Sequence, residues 1–142
     1  NRSEISPSMY KNNEYSHWLA DSLKEYADQD LYEFYGKSGT ALVHLADRSS
    51  SIELDTLASS GGKAGTEALL RVMEYSIASN KELSWSADHD EANSYYSHLG
   101  LSKYGKHTGT AVDGKSKFIK YNISPVQLKE ELIRLRKKYP KK

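Results

Sequence analysis

The chain has 142 residues, of which 37% are hydrophobic and 27% charged, and its formal net charge at pH 7 is +1. This size and composition predict one soluble globular domain. The lack of cysteine excludes disulfides, thiolate catalysis and cysteine-bound zinc, and it is typical of a reducing compartment, so we expect a cytoplasmic protein. No apolar run approaches a membrane span and no signal-peptide pattern is visible, so we expect no membrane partner.

The positive charge is concentrated at the C-terminal end. From Pro125 onward seven lysines and arginines accompany two glutamates, which gives +5 and leaves −4 for the rest of the chain. We expect residues 1–124 to form the body of the domain and residues 125–142 a basic helix or tail belonging to it. The tail has two interpretations, a site for an acidic or nucleic-acid partner and, more commonly, a solvated helix end. Because the chain begins at Asn1, we also expect excision from a longer protein.

Hydrophobic spacing predicts helices and strands in alternation. Apolar residues between Tyr15 and Ala27 recur at helical spacing, and the segment 31–35 predicts a second short helix that ends at Gly36. The alternation at 40–46 and 52–58 predicts an antiparallel hairpin. The further predicted elements are a helix with its apolar face at Ala68, Leu69, Val72, Met73, Ser76 and Ile77, a strand at 82–88, a helix at 90–99, a hairpin over 102–124 and a helix from Pro125.

A glycine-rich loop connects the strand at 52–58 to the helix that follows it. The residues from loop to helix start are Ser60, Gly61, Gly62, Lys63, Ala64, Gly65 and Thr66. Small residues let a ligand approach the backbone, and the unpaired N–H groups at a helix start face an anion. The arrangement of strand, loop and helix predicts a phosphate site, and a tight turn into a helix is the alternative.

This loop resembles the pyrophosphate loop of the GCN5-related N-acetyltransferase (GNAT) superfamily, Arg/Gln-x-x-Gly-x-Gly/Ala. Gly65 takes the last small position, and Ala68 and Leu69 take the apolar pair that follows it. Ser60 stands where Arg or Gln is usual, and Lys63 stands where glycine is usual. A frame shifted back by one residue places Gly62 and Ala64 on the small positions, but it matches the helix less well. The resemblance implies that Ser60 to Thr66 contact coenzyme A.

A second segment carries the same resemblance. Residues 92–101, ANSYYSHLGL, are similar to the family's Ala-x-x-aromatic-Tyr-x-x-Leu-Gly-Phe. Tyr96 takes the place of the tyrosine that protonates the departing coenzyme A thiolate in many members. A phenol with a pKa near 10 holds its proton at pH 7 and can give it to a thiolate. The resemblance also places His89 and Asn93 among the residues that bind the coenzyme.

The resemblance implies direct transfer from acetyl-coenzyme A (acetyl-CoA) to an amine. The strands at 52–58 and 82–88 would be parallel and splayed, with the pantetheine arm paired to the first. A backbone N–H near Leu57 or Ala58 would stabilise the charge that develops on the thioester oxygen. Glu53 and Asp55, on one face of that strand, are the candidate bases, and each is equally typical of a solvated strand.

No metal site is expected. Asp88, His89 and Asp90 could together ligate a metal, but a lone histidine between acids at a strand end is more typical of a helix cap. His44 and His107 are isolated in the sequence, and no serine and histidine combine into a triad.

The sequence therefore predicts an α/β fold of the acyl-CoA N-acyltransferase type, with a mixed, mostly antiparallel sheet, splayed central strands and flanking helices. The predicted function is an acetyl-CoA-dependent N-acetyltransferase that acts on an amine of a small molecule or a protein. The alternative is a binding or structural module of the same fold that has lost efficient chemistry. The altered loop, and an N-terminal half expected to lack one strand, favour that alternative.

Overall fold

The computed structural model describes residues 30–36, 39–59, 64–88, 90–110, 114 and 117–140. The helix predicted at 15–27 lies outside them, as do residues 60–63 and His89. Within the described residues the strands are β1 (Asp30–Gly36), β2 (Gly39–Asp47), β3 (Ser51–Ser59), β4 (Glu82–Ala87), β5 (Gly105–Thr110) and β6 (Lys117–Ile123). The helices are α1 (Ala64–Ala78), α2 (Asp90–His98) and α3 (Pro125–Lys138).

The described strands form one six-stranded sheet in the order β1-β2-β3-β4-β6-β5. Every neighbouring pair is antiparallel except β3 and β4, which are parallel and joined through α1. Antiparallel neighbours can be joined by tight hairpins, whereas a parallel pair needs a crossover helix. This confirms the predicted mixed, mostly antiparallel sheet with flanking helices.

The helix predicted at 31–35 is wrong, because this segment lies within strand β1. It pairs with β2 over seven consecutive positions, from Asp30 opposite Leu45 to Gly36 opposite Gly39. The segment is rich in aromatic residues, which favour strands, and a full ladder with β2 outweighs the weak local signals of a helix start and stop. β1 also supplies a strand to the half of the chain that we expected to lack one.

Helix α1 buries the predicted apolar face. Ala68, Leu69, Val72, Met73 and Ser76 are all at most 1% exposed, and Ile77, the last residue of the face, is half-buried. The helix ends in a Schellman motif, in which the Lys81 N–H donates to the Ser76 carbonyl at 2.9 Å and Asn80 adopts a φ of 53°. This ending returns the chain directly into β4, whose first residue pairs with the first residue of β3.

Helix α3 begins as its sequence predicts. Ser124 caps the helix in a capping box with Gln127, and Pro125 occupies the first turn. Leu128 and Leu135 are buried, whereas Val126 is 68% exposed.

Two arginines of α3 join it to the rest of the protein. Arg136 donates to both carboxylate oxygens of Glu67, at 2.7 and 3.2 Å, and to Glu74 at 2.9 Å, which ties α3 to α1. Arg134 donates to the Leu99 carbonyl at 2.7 Å, just past the end of α2. Two of the seven basic residues of this segment therefore bind partners elsewhere in the protein.

Glu131 is a buried carboxylate at the centre of this packing. Its side chain is 4% exposed and accepts hydrogen bonds from Arg134 at 2.8 Å and from the Tyr104 hydroxyl at 3.0 Å, with Lys103 at 3.3 Å. Burial by itself would raise the pKa of Glu131, but the three donors outweigh it and hold the pKa below its usual value. Burial, and then the bond to Glu131, raise the pKa of Tyr104 to about 12.

We expect Glu131 to make stability depend on pH. A carboxylate whose folded pKa is lowered stabilises the fold above its unfolded pKa of about 4.3, and that contribution is lost as the pH falls through the folded pKa. Glu131→Gln keeps the volume and removes the charge. At pH 7 it should lower the free energy of unfolding by about 1–3 kcal/mol, and the difference from wild type should shrink below pH 4. Urea unfolding at pH 7 and pH 3 measures both values.

The exposed neighbour Glu130 provides the matched control. Glu130→Gln should change stability by less than about 0.5 kcal/mol at either pH, since exposed charges contribute little. Equal effects of the two variants would contradict the role of Glu131.

Candidate functional site

The two parallel strands separate halfway along their length. β3 and β4 pair only from Ser51 opposite Glu82 to Leu54 opposite Trp85. β3 then continues to Ser59 along β2, and β4 continues to Ala87 along β6, without pairing to each other. A gap therefore opens in the sheet beyond Leu54 and Trp85, as expected for splayed central strands. Backbone groups that would have bonded across the pair are left facing this gap.

A β-bulge lies on β3 where the gap begins. His44 is opposite Thr56 and Leu45 is opposite Leu54, so Asp55 is the extra residue on β3. A bulge bends its strand and increases the local twist, which contributes to the separation from β4. Leu57 and Ala58 follow the bulge and remain paired with β2. Because successive residues of a strand direct their N–H groups to opposite edges, one of these two N–H groups points into the gap.

The two candidate bases occupy different positions. Glu53 lies in the paired part of the strand, opposite Ser84, and its carboxylate accepts from Arg48 at 3.0 Å. Asp55 is exposed and lies one residue past the last paired position. Only Asp55 therefore lies at the gap. The sequence alone could not distinguish it from Glu53 in this respect.

Tyr96 lies in an aromatic cluster at the start of the gap. It is 8% exposed, and its ring centroid is 5.1 Å from those of Trp85 and Tyr121 and 5.3 Å from that of Tyr95. Trp85 is the last β4 residue paired with β3, so the cluster places Tyr96 where the two strands part. Burial, and then the neighbouring tyrosines, raise the pKa of Tyr96, so its hydroxyl stays protonated at neutral pH.

Asn93 fixes α2 to the sheet. Its amide nitrogen donates to the carbonyls of Ala87 at 3.4 Å and Lys117 at 3.2 Å, and its oxygen accepts from the Tyr121 hydroxyl at 2.8 Å. We expected Asn93 to bind the coenzyme, but the structure shows its side chain engaged with β4 and β6. Its position explains how α2 is held with Tyr96 against Trp85.

The C-terminal end of α2 is fixed by a second Schellman motif. The Leu101 N–H donates to the Tyr96 carbonyl at 2.9 Å, and Gly100 adopts a φ of 76°. A β-carbon at Gly100 would lie 3.1 Å from the Arg134 guanidinium, which packs over this turn. The positive φ therefore favours glycine, and a β-carbon there would also require the Arg134 guanidinium to shift by a few tenths of an ångström.

The first turn of α1 contacts α2. Ala64 and Thr66 are buried, and the Thr66 hydroxyl lies 2.7 Å from the Tyr95 hydroxyl, within hydrogen-bonding distance. The side chain of Thr66 is thus directed at α2. The helix start that we expect to receive phosphates, including Gly65, therefore lies beside the helix that carries Tyr96. The preceding loop residues and His89 lie outside the described residues.

Sequence reasoning did not single out Trp85, Tyr95 or Tyr121 as parts of the site. Tyr95 had a signal, since it occupies the aromatic position of the second segment. Trp85 and Tyr121 are far apart in the sequence, and only the pairing of β4 with β6 brings them together, with rings stacked at 5.0 Å.

The described residues show no candidate metal centre. No group of three histidine, aspartate or glutamate side chains among them could hold a metal ion. His44 is buried, and burial lowers its pKa, so it is neutral at pH 7. None of the described helices is long and apolar enough to cross a membrane.

Comparison with known proteins identifies the fold but not a family. No family model matches the chain, and no curated protein matches it. A crystal structure of a protein provisionally described as an acetyltransferase superposes with a TM-score of 0.60 at 15% identity, over 94% of this chain and 84% of the other. Another, from T. thermophilus and described in the same way, gives 0.57 at 14% identity, over 96% and 78%. At this identity the likeness shows the fold alone, and the fold is that of these acetyltransferases.

Proposed function

We propose that this protein is a GNAT-type N-acetyltransferase that binds acetyl-CoA in the gap between β3 and β4. The observation that carries the proposal is the end of the β3–β4 ladder at Leu54 and Trp85, with Tyr96 packed at that point. A splayed parallel pair offers an unpaired strand edge to the amides of the pantetheine arm. A buried phenol at the same place supplies a proton donor.

The described residues suit each step of a direct transfer. The acceptor nitrogen loses its proton through Asp55, directly or by way of water, to solvent. The nitrogen then forms a bond to the thioester carbon, and the N–H of Leu57 or Ala58 that faces the gap stabilises the oxygen. The bonded nitrogen then loses a second proton by way of Asp55, so that the product is a neutral amide. As the carbon–sulfur bond breaks, the Tyr96 hydroxyl gives its proton to the leaving thiolate and later recovers one from solvent.

Two observations favour the alternative, a binding module without efficient chemistry. The loop carries Ser60 and Lys63 where the GNAT pattern has Arg or Gln and glycine. The side chains of Asn93 and Thr66 are already engaged in hydrogen bonds within the protein. Binding of coenzyme A and turnover separate the two functions.

The start of α1 should be required for coenzyme binding. Calorimetric titration with acetyl-CoA should give a micromolar dissociation constant, and Gly65→Val should abolish binding, because a branched side chain would crowd phosphates at the start of α1. The far-ultraviolet dichroism of this variant should stay native. Lys63→Glu should weaken binding by about 1–2 kcal/mol at low salt, as expected for loss of a phosphate contact.

A second glycine substitution controls for a general effect of adding a side chain. Gly109 lies on β5, where an added β-carbon would meet nothing within 4 Å. Gly109→Val should therefore bind acetyl-CoA as wild type does. Unchanged affinity in both Gly65→Val and Lys63→Glu would mean that the loop is only a turn.

A further prediction concerns Tyr96. Tyr96→Phe keeps the ring and its contacts with Trp85 and Tyr121, and it removes only the proton donor. Loss of general-acid assistance should lower kcat by a factor of about 10²–10⁴ and leave the affinity for coenzyme A nearly unchanged. Thiol release, measured with a panel of amines, and calorimetry give the two quantities.

The control for Tyr96→Phe is a tyrosine that does not contact the aromatic cluster. Tyr95 is a poor control, because its hydroxyl contacts Thr66 and its ring packs on Tyr96. Tyr75 is a better control, since it is 41% exposed and its hydroxyl donates to Asp47, at the end of β2 that is farther from the gap. Tyr75→Phe should retain full kcat. If Tyr96→Phe also retains it, the proton comes from water and the assigned role is wrong.

A further inference from the structure

A row of polar residues crosses the sheet beside the gap. Ser86 of β4 is paired with Lys120 of β6, which is paired in turn with Lys106 of β5. Paired residues project from the same face of a sheet, so these three side chains share one face. Ser86 and Lys106 are exposed, and Lys120 is half-buried. The row therefore places two lysines, one exposed and one half-buried, on one face of the sheet.

The row lies on the face of the sheet opposite Tyr96. The preceding pair, Trp85 and Tyr121, packs against Tyr96 with tilted rings. Because successive residues of a strand alternate between faces, Ser86 and Lys120 project from the other face. The aromatic cluster and the two lysines are therefore on opposite faces of the same strands.

Lys106 and Lys120 lie directly opposite each other on neighbouring strands, and an anion would stabilise this arrangement. Like charges directly opposite each other on neighbouring strands are destabilising. Within the described part of the chain, neither lysine forms an ion pair, whereas Lys103, in the turn that precedes β5, pairs with Glu131. An anionic group bound between the two ammonium groups would relieve their repulsion and form charge-assisted hydrogen bonds.

The row begins at the place where the reaction is proposed to occur. Ser86 is the first β4 residue past the last paired position, and Asp55 is the corresponding residue on β3. Neighbouring strands are about 4.8 Å apart, so Lys120 and Lys106 lie about one and two strand spacings from β4. A carboxylate thus lies on one side of the gap and two ammonium groups on the other. An acceptor with an amine at one end and an anion at the other matches this distribution of charge.

We propose that the acceptor is a small amine that also carries a carboxylate, and that Lys120 and Lys106 bind this carboxylate while the amine reacts in the gap. The inference rests on the proposed acetyltransferase function and specifies its substrate class. Lys106 and Lys120 act as specificity residues. Removing both should affect acceptors with the anion and leave those without it unchanged.

The test compares matched acceptors. Glycine, β-alanine, 4-aminobutyrate and 6-aminohexanoate are each assayed by thiol release beside the corresponding amide, which lacks the negative charge. For at least one pair, wild type should prefer the carboxylate about tenfold or more in kcat/KM. The double variant Lys106→Met/Lys120→Met should lose that preference because its KM for the carboxylate rises. Its KM for the amide should stay at the wild-type value. No preference in wild type, or a preference that survives in the double variant, overturns the proposal.

The matched control is Lys117→Met. Lys117 is an exposed lysine of the same hairpin, and it lies an odd number of residues from Lys120, on the other face. It should keep the wild-type preference. Loss of the preference in Lys117→Met as well would show a general effect of net charge and overturn the assignment.

An equilibrium measurement separates the failure of this proposal from failure of the acetyltransferase function. 4-Aminobutyrate and its amide are titrated calorimetrically into the protein saturated with coenzyme A, or into the protein alone if coenzyme A does not bind. In wild type and in Lys117→Met, 4-aminobutyrate should give binding heat and its amide should give none. In Lys106→Met/Lys120→Met, neither compound should give heat. This result supports the anion site even without turnover. No heat in wild type overturns it, whatever the result for acetyl transfer.

Discussion

The separation of β3 from β4 is the constraint on which the rest of the molecule depends. A parallel pair that stops at Leu54 and Trp85 leaves backbone groups of both strands without their usual partners. Beyond that point each strand can be held in the sheet only by hydrogen bonds along its other edge. β2 holds β3 and β6 holds β4 beyond that point. The antiparallel hairpins on the two sides of the gap are thus what make an open parallel pair stable.

The helices then determine which side chains lie at the gap. Asn93 bonds to carbonyls of β4 and β6, so α2 cannot shift without breaking hydrogen bonds at the edge of the gap. The bond between Thr66 and Tyr95 joins the first turn of α1 to the same helix. Arg134, which packs over the turn at Gly100, connects α2 to α3. The end of the chain, basic in sequence, therefore supports the helix that carries Tyr96.

Hydrophobic periodicity was sufficient to predict the elements whose environment is set by one apolar face. The predicted face of α1 is buried, and the strands β2, β3, β4 and β6 lie close to their predicted positions. The prediction failed at residues 31–35, where strand formation depends on pairing with β2. The bulge at Asp55 was also missed, because an added residue is defined only by the register of the partner strand. The environments of Asn93 and Arg136 depend on contacts between distant segments, so the sequence could show their chemistry but not their partners.

The alternation of side chains across a strand gives the gap two different surroundings. On one face Trp85 and Tyr121 pack with Tyr96, and burial there keeps a phenol protonated. On the other face Ser86, Lys120 and Lys106 remain in contact with water. A proton donor to a thiolate benefits from exclusion of water, whereas a charged acceptor must arrive from it. Because both faces belong to the same few residues of β4 and β6, one pairing register sets both environments, and a slip of one residue would exchange them.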